Sequence, residues 1–128
     1  MKEINLFREK LHEHLQWNGA RLAFVSMFSI ALIRVKTVNL AEITTGFSGK
    51  AKVESHYKRL QRFFRDFELD YENSALMVVK VMQIPKPWMI SIDRTDWEFG
   101  KTVFNVLTLG IVHYGIAFPL VWIMGQKR

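Results

Sequence analysis

"MISIDRTDWEFGKTVFNVLTLGIVHYGIAFPLVWIM", residues Met89 to Met124, is the stretch on which the fold turns. Its second part, Val103 to Met124, carries no formally charged residue and is long enough for a membrane-spanning helix. The same residues include Asn105, Gly110, His113, Tyr114, Gly115 and Pro119 among Val, Ile, Thr and aromatics. A helix would have to absorb both glycines and the proline, whereas two strands with a turn near Tyr114-Gly115 accommodate them. The reading adopted is three strands: Trp88 to Asp93, about Thr102 to Val112, and Ile116 to Met124, the last two as a hairpin. A small membrane protein with a span at 103–124 stands as the alternative.

Upstream the period changes from two to that of a helix. Ile4, Phe7, Leu11 and Leu15 recur at helical spacing, and Arg21 to Val38 is apolar almost all round, as in the central helix of a small bundle. Its apolar centre, Leu22 to Ile33, is short against the ~20 residues a span requires. Asn39 with Glu42 three positions on has the form of a capping box, predicting a short helix from Leu40 to Thr45 that ends on a left-handed Gly46. After Phe47-Ser48-Gly49-Lys50, the stripe Val53, Tyr57, Leu60, Phe64, Phe67 predicts an amphipathic helix. A further helix, Tyr71 to Met82, follows an N-cap at Asp70, and the prolines of "QIPKPW" end the helical pattern. The expected organisation is a helical region over 1–84 and a strand region over 85–128, an α+β chain whose first part is an all-helical bundle.

Composition narrows the partners. The 128 residues are 49% hydrophobic, with three prolines and seven glycines, as expected of a folded chain. A net charge of +6 points towards polyanions, nucleic acid or an anionic membrane surface. The absence of cysteine excludes disulfides and thiolate metal sites and suits a reducing cytoplasm. The first residues mix acids and bases without an apolar core, unlike a signal peptide.

Positive charge concentrates around the predicted amphipathic helix: Lys50, Lys52, Lys58, Arg59, Arg62 and Arg65 against Glu54 alone. A short helix, a glycine-containing turn and a longer basic helix is the order of a helix-turn-helix unit. Lysines and arginines on one face neutralise phosphates, and Ser55 and His56 near the helix start are candidates for hydrogen bonds to phosphates or base edges. The competing reading is a solvated surface helix whose charges serve solubility.

Asp93, after "MISI", admits three readings: a turn residue, an ion-pair partner of Arg94 or Lys101, or a metal ligand. Enzymes of phosphoryl transfer hold two divalent ions ~4 Å apart with carboxylates, and magnesium accepts one or two protein oxygens per ion. Local residues alone leave these alternatives open.

The order "SHYKRLQRFFRDF", a helix, a Pro-Trp segment, "MISIDRTDWEFG" and then "VFNVLTLGIVHYGIAFPLVW" resembles the amino-terminal part of insertion-sequence transposases of the type-four DDE group. "IDRTDW" is similar to that family's Asp-Arg-Thr-Asn/Asp-Trp segment at the end of the first strand of a ribonuclease-H-like domain. The resemblance runs from about Leu22 to the last residue. It implies an interior strand for Met89 to Ile92, Asp93 as the first of three metal-binding acids, and magnesium-dependent cleavage and transfer of DNA. Arg94, Thr95 and Trp97 are implied as motif neighbours, while Asp96 and Glu98 match no second or third acid and are expected in a loop beyond the strand. The family's other two acids lie beyond the last residue of this sequence.

The functional expectation is therefore a transposase fragment that binds transposon-end DNA, with strands of an incomplete ribonuclease-H-like (α/β) domain and no strand-transfer activity by itself. The second expectation is a non-enzymatic DNA-binding regulator using residues 1–84. Homo-oligomerisation is left open, and exposed strand edges are expected to promote aggregation.

Overall fold

The computed structural model describes residues 2–126 and contains, among them, five α-helices followed by one three-stranded antiparallel sheet. The mixed α+β composition agrees with the expectation. Two compact units divide after Leu69.

In the first unit, α1 (Lys2–His12) precedes α2 (Gly19–Val35). Asn18 caps α2, its Oδ1 accepting from the Arg21 N–H at 2.8 Å, and Lys36 closes the helix in a left-handed conformation. Asn39 then caps α3 (Leu40–Ile43), its Oδ1 accepting from the Ala41 and Glu42 amides at 3.0 and 3.3 Å. A 3₁₀ turn, Thr44–Gly46, extends α3, and this bent arm departs from α2 by 104°.

Gly46 is not the left-handed residue the sequence predicts, for it is absent from the positive-φ glycines, Gly49, Gly100 and Gly115. Its role is close approach. A Cβ placed there would lie 3.0 Å from both the Cα and Cβ of Ala31, which is wholly buried on α2. The turn consequently lies directly on α2, and Ile43 enters a core with Phe24, Ala31 and Leu60.

Leu60 comes from α4 (Val53–Asp66). The buried face of α4 is rotated from the expected stripe: His56 and Leu60 are buried and Phe63 half-buried, whereas Val53 and Phe64 are more than half exposed. Residues 56, 60, 63 and 67 obey the same helical period as the predicted set, displaced around the helix. Aromatic packing selects between them. Phe63 stacks on Phe67 at 4.7 Å and meets Phe24 at 5.0 Å, while Phe64 makes only edge contacts, with Phe63 at 5.5 Å and Phe28 at 5.7 Å.

The second unit contains α5 (Tyr71–Val81), capped by Asp70 through the Asn73 amide at 3.0 Å, and the sheet β1 (Met89–Phe99), β2 (Thr102–His113), β3 (Ile116–Gln126) in that spatial order. The sequence separates α5 from the strands at the Pro85–Pro87 break; packing joins them. Val79, Ile84 and Ile111 form one buried cluster with Met82, Phe118 and Leu120 against it, and Tyr71 meets the edge of Trp122 at 6.2 Å.

Val103 to Met124 forms two strands, as the strand reading expects, joined at Tyr114 and Gly115, both with positive φ as in a type I′ turn. Among the described residues no single helix is long and apolar enough to cross a membrane; α2 together with the α3 arm passes that test by length and composition only as a bent pair.

Two expectations for β1 are corrected. The strand does not end at Asp93 but continues to Phe99, because the Gly100-Lys101 turn, with Gly100 at φ +60°, lets the whole polar segment pair with β2. In this sheet β1 is an edge strand rather than an interior one. Its charged residues are tolerated because nearly all of β1 is exposed.

Replacing Gly46 with alanine forces α2 and the 3₁₀ turn apart and lowers stability by about 1–3 kcal/mol. Urea unfolding of the G46A chain measures this; an unchanged midpoint would contradict the close contact.

Candidate nucleic-acid interface and the Asp93 strand

The amphipathic character of α4 leaves its cations outside. Lys58, Arg59, Arg62 and Arg65 are exposed, as are Lys50, Lys52 and Ser55 ahead of or within the first turn. Lys58, Gln61, Arg62 and Arg65 line one open surface depression of about 470 Å³. Side chains four and three positions apart thus share one face of the helix and line a single trough.

The cations are not equivalent. Arg65 donates to Asp66 through Nε at 2.8 Å and Nη2 at 3.0 Å. The hydrogen bonds from Arg65 hold the Asp66 carboxyl below its ordinary range; desolvation opposes them, the charges of Arg65 and Arg62 add to them, and the pair raises the guanidinium pKa in return. Since the folded Asp66 value lies below the unfolded one, the pair's small contribution is present above the unfolded pKa and is lost as pH falls through the folded value. At neutral pH Arg65 is engaged, while Lys58 and Arg62 have no ion-pair partner among the described residues.

His56 departs from its expected role. It is 4% exposed, packs edge-on against Phe47 at 5.0 Å, and its Nδ1 has no hydrogen-bond partner. Helical geometry explains this, since position 56 lies one turn before Leu60 on the buried face. It is a packing residue, out of reach of a phosphate.

A second basin, missed in the sequence, lies on the other side of Arg62. Arg21, Phe24, Arg59, Arg62, Phe63, Asp66 and Phe67 surround about 290 Å³ of open space. The Arg21 guanidinium lies 4.4 Å from the Phe67 ring centre and that of Arg59 lies 5.0 Å from the Phe24 ring centre. Trp17 meets Phe67 edge-on at 5.1 Å. Two helices far apart in sequence build this basin. The only local signal was the alternation of Arg59, Arg62, Phe63 and Phe67.

On β1, register sets Asp93 opposite Thr108 and on the same face as Ser91, Thr95, Trp97, Val106 and Gly110. No carboxylate is in that set. The Thr95 hydroxyl donates to Asp93 Oδ2 at 3.4 Å, at the limit of a hydrogen bond. Arg94, on the opposite face, donates to Asn105 Oδ1 through Nε at 3.3 Å and Nη2 at 2.9 Å, so it does not pair with Asp93. Trp97 is half exposed and stacks on Phe99 at 5.9 Å. Asp96 and Glu98 lie within the strand, not in a loop, on the face away from Asp93.

Among the described residues no three His, Asp or Glu side chains converge as a metal-binding group. Asp93 and a threonine hydroxyl do not form the carboxylate set of a two-ion centre.

No family model, curated protein or solved structure matches the chain.

His56→Leu removes a buried nitrogen that lacks a partner, so stability is expected to hold or to rise by about 1 kcal/mol. Thermal unfolding of H56L is the measurement; a loss above about 2 kcal/mol would show that the imidazole makes an essential polar contact.

Proposed function

We propose that the helical unit binds DNA through α4, and that the chain is the amino-terminal portion of an insertion-sequence transposase of the type-four DDE group. The observation that carries the DNA-binding reading is the shared trough of Lys58, Arg62 and Arg65 on a helix whose other face is buried. Exposed cations in a chain of net charge +6 supply the attraction, and a rigid helix anchored at Leu60 fixes their spacing. In this reading α3, its 3₁₀ extension and α4 act as a helix-turn-helix-like unit, with Lys50, Lys52, Arg59 and Ser55 flanking the trough. A DNA-binding chain without cysteine fits the cytoplasm.

The transposase part rests on the resemblance of "IDRTDW" and its surroundings to the family motif. Three antiparallel strands with Asp93 on the first agree with the opening of a ribonuclease-H-like sheet, and the unpaired edge of β1 is where further strands would add. Asp93 is proposed as a metal-binding acid by that resemblance alone. Magnesium requires further carboxylates, and none stands beside Asp93 on its face of the sheet among the described residues. The lone acid on its face favours, as a second reading, a regulator that binds the element's DNA without cutting it.

Replacing Lys58, Arg62 and Arg65 together with alanine is expected to weaken duplex binding and to reduce the slope of log K against log salt by about two, since each phosphate contact contributes about 0.9 and Arg65 is partly engaged. Fluorescence anisotropy across a salt series tests this, and an unchanged slope would remove α4 from the interface. Asp66→Asn is expected to have the opposite effect, releasing Arg65 and steepening the slope by up to about 0.9.

A further inference from the structure

The basin of Arg21, Phe24, Arg59, Arg62, Phe63 and Phe67 has a composition unlike that of the trough beside it. Its floor is aromatic and its rim carries three guanidinium groups. None of Arg21, Arg59 and Arg62 is in an ion pair among the described residues; the one carboxylate present, Asp66, is taken by Arg65. Arg21 and Arg59 instead lie over phenylalanine rings, cation–π contacts that leave each guanidinium without a carboxylate partner. Flat guanidinium planes and ring edges around an open space accept a flat heteroaromatic ring, and an unpaired cation beside them accepts an anion. One ligand carries both chemistries on adjoining groups: a nucleotide whose base is not paired.

Position adds to composition. Arg62 lines both this basin and the trough of Lys58, Gln61, Arg62 and Arg65. A strand whose phosphates follow the trough would pass Arg62 on reaching the basin. We propose that this basin receives an unpaired nucleotide of a DNA strand, the base lying among Phe67, Phe63 and the guanidinium planes of Arg21 and Arg59, with its phosphate on Arg62. The inference deepens the DNA-binding reading and rests on α4 being the nucleic-acid face. It assigns the basin a preference for frayed or overhanging ends over continuous duplex.

The test compares the full chain bound to a blunt duplex, to the same duplex with a three-nucleotide single-stranded overhang, and to the single strand alone, by fluorescence anisotropy. Phe67→Leu removes a ring while keeping an apolar side chain, and Arg21→Gln, at an exposed position, removes a stacking cation without touching the core. The expected result is a preference of the wild-type chain for the overhang of roughly tenfold, as one stacked base supplies. F67L is expected to lose that preference and R21Q part of it, both with blunt-duplex affinity unchanged. Equal wild-type affinity for overhang and blunt duplex overturns the inference and leaves duplex binding by α4 standing. An overhang preference that both variants keep also overturns it. Binding to the single strand alone that F67L and R21Q weaken, without duplex binding, upholds the basin and rejects the duplex reading. Failure to bind any of the three DNAs rejects both.

Discussion

The contact of Gly46 with Ala31 is the constraint on which the helical unit depends. Two residues with little or no side chain meet where the 3₁₀ turn crosses α2, and the approach is too close for a further carbon. That closeness presses Ile43 into the Phe24–Ala31–Leu60 core and sets where the chain can restart as α4. Once Leu60 is seated, the rotation of α4 is decided, and with it the outward direction of Lys58, Arg62 and Arg65. The electrostatic face is thus a consequence of packing on the opposite side of the same helix. The aromatic cluster of Phe24, Phe63 and Phe67 fills the gap between α2 and α4 and, where it reaches the surface, becomes the floor of the arginine-rimmed basin.

Much of the element order was legible because it is encoded locally. Asn39 and Asp70 cap the helices expected of them, and the Tyr114-Gly115 turn divides the apolar run as its glycines and proline require. What could not be read depends on distant partners. Phe63 and Phe64 are adjacent and equally apolar, and only the presence of Phe24 and Phe67 decides which turns inward. His56 looks polar and available in the sequence, yet its position on the helix faces Phe47. Gly46 sits where a helix-ending glycine is expected, and its reason for being glycine is Ala31, fifteen positions away. The basin was out of reach for the same reason, since Arg21 and Phe24 belong to another helix.

The strand bearing Asp93 is longer than its sequence predicts, for a physical reason. "DRTDWE" has the polarity of a loop, but an edge strand with solvent on both faces places no apolar demand on its residues. Backbone pairing with β2 is sufficient to extend it. The consequence for chemistry is direct: a carboxylate in mid-strand points to one side of a sheet, and its potential partners are the side chains of that side alone. Thr95, Thr108 and Ser91 offer hydroxyls there, and the other acids of the segment face away.

The tight turn at Gly100 has an implication for how this segment can vary among relatives. In a pleated strand the side of the sheet is a matter of parity, and a two-residue turn with positive φ at its first position leaves no slack to absorb an odd change. Inserting or deleting one residue between Asp93 and Gly100 would carry Asp93 to the side now occupied by Arg94 and Asn105. Changes of two residues would preserve its side. Spacing, counted modulo two, is accordingly a signature of the acid's orientation that can be read from bare sequences.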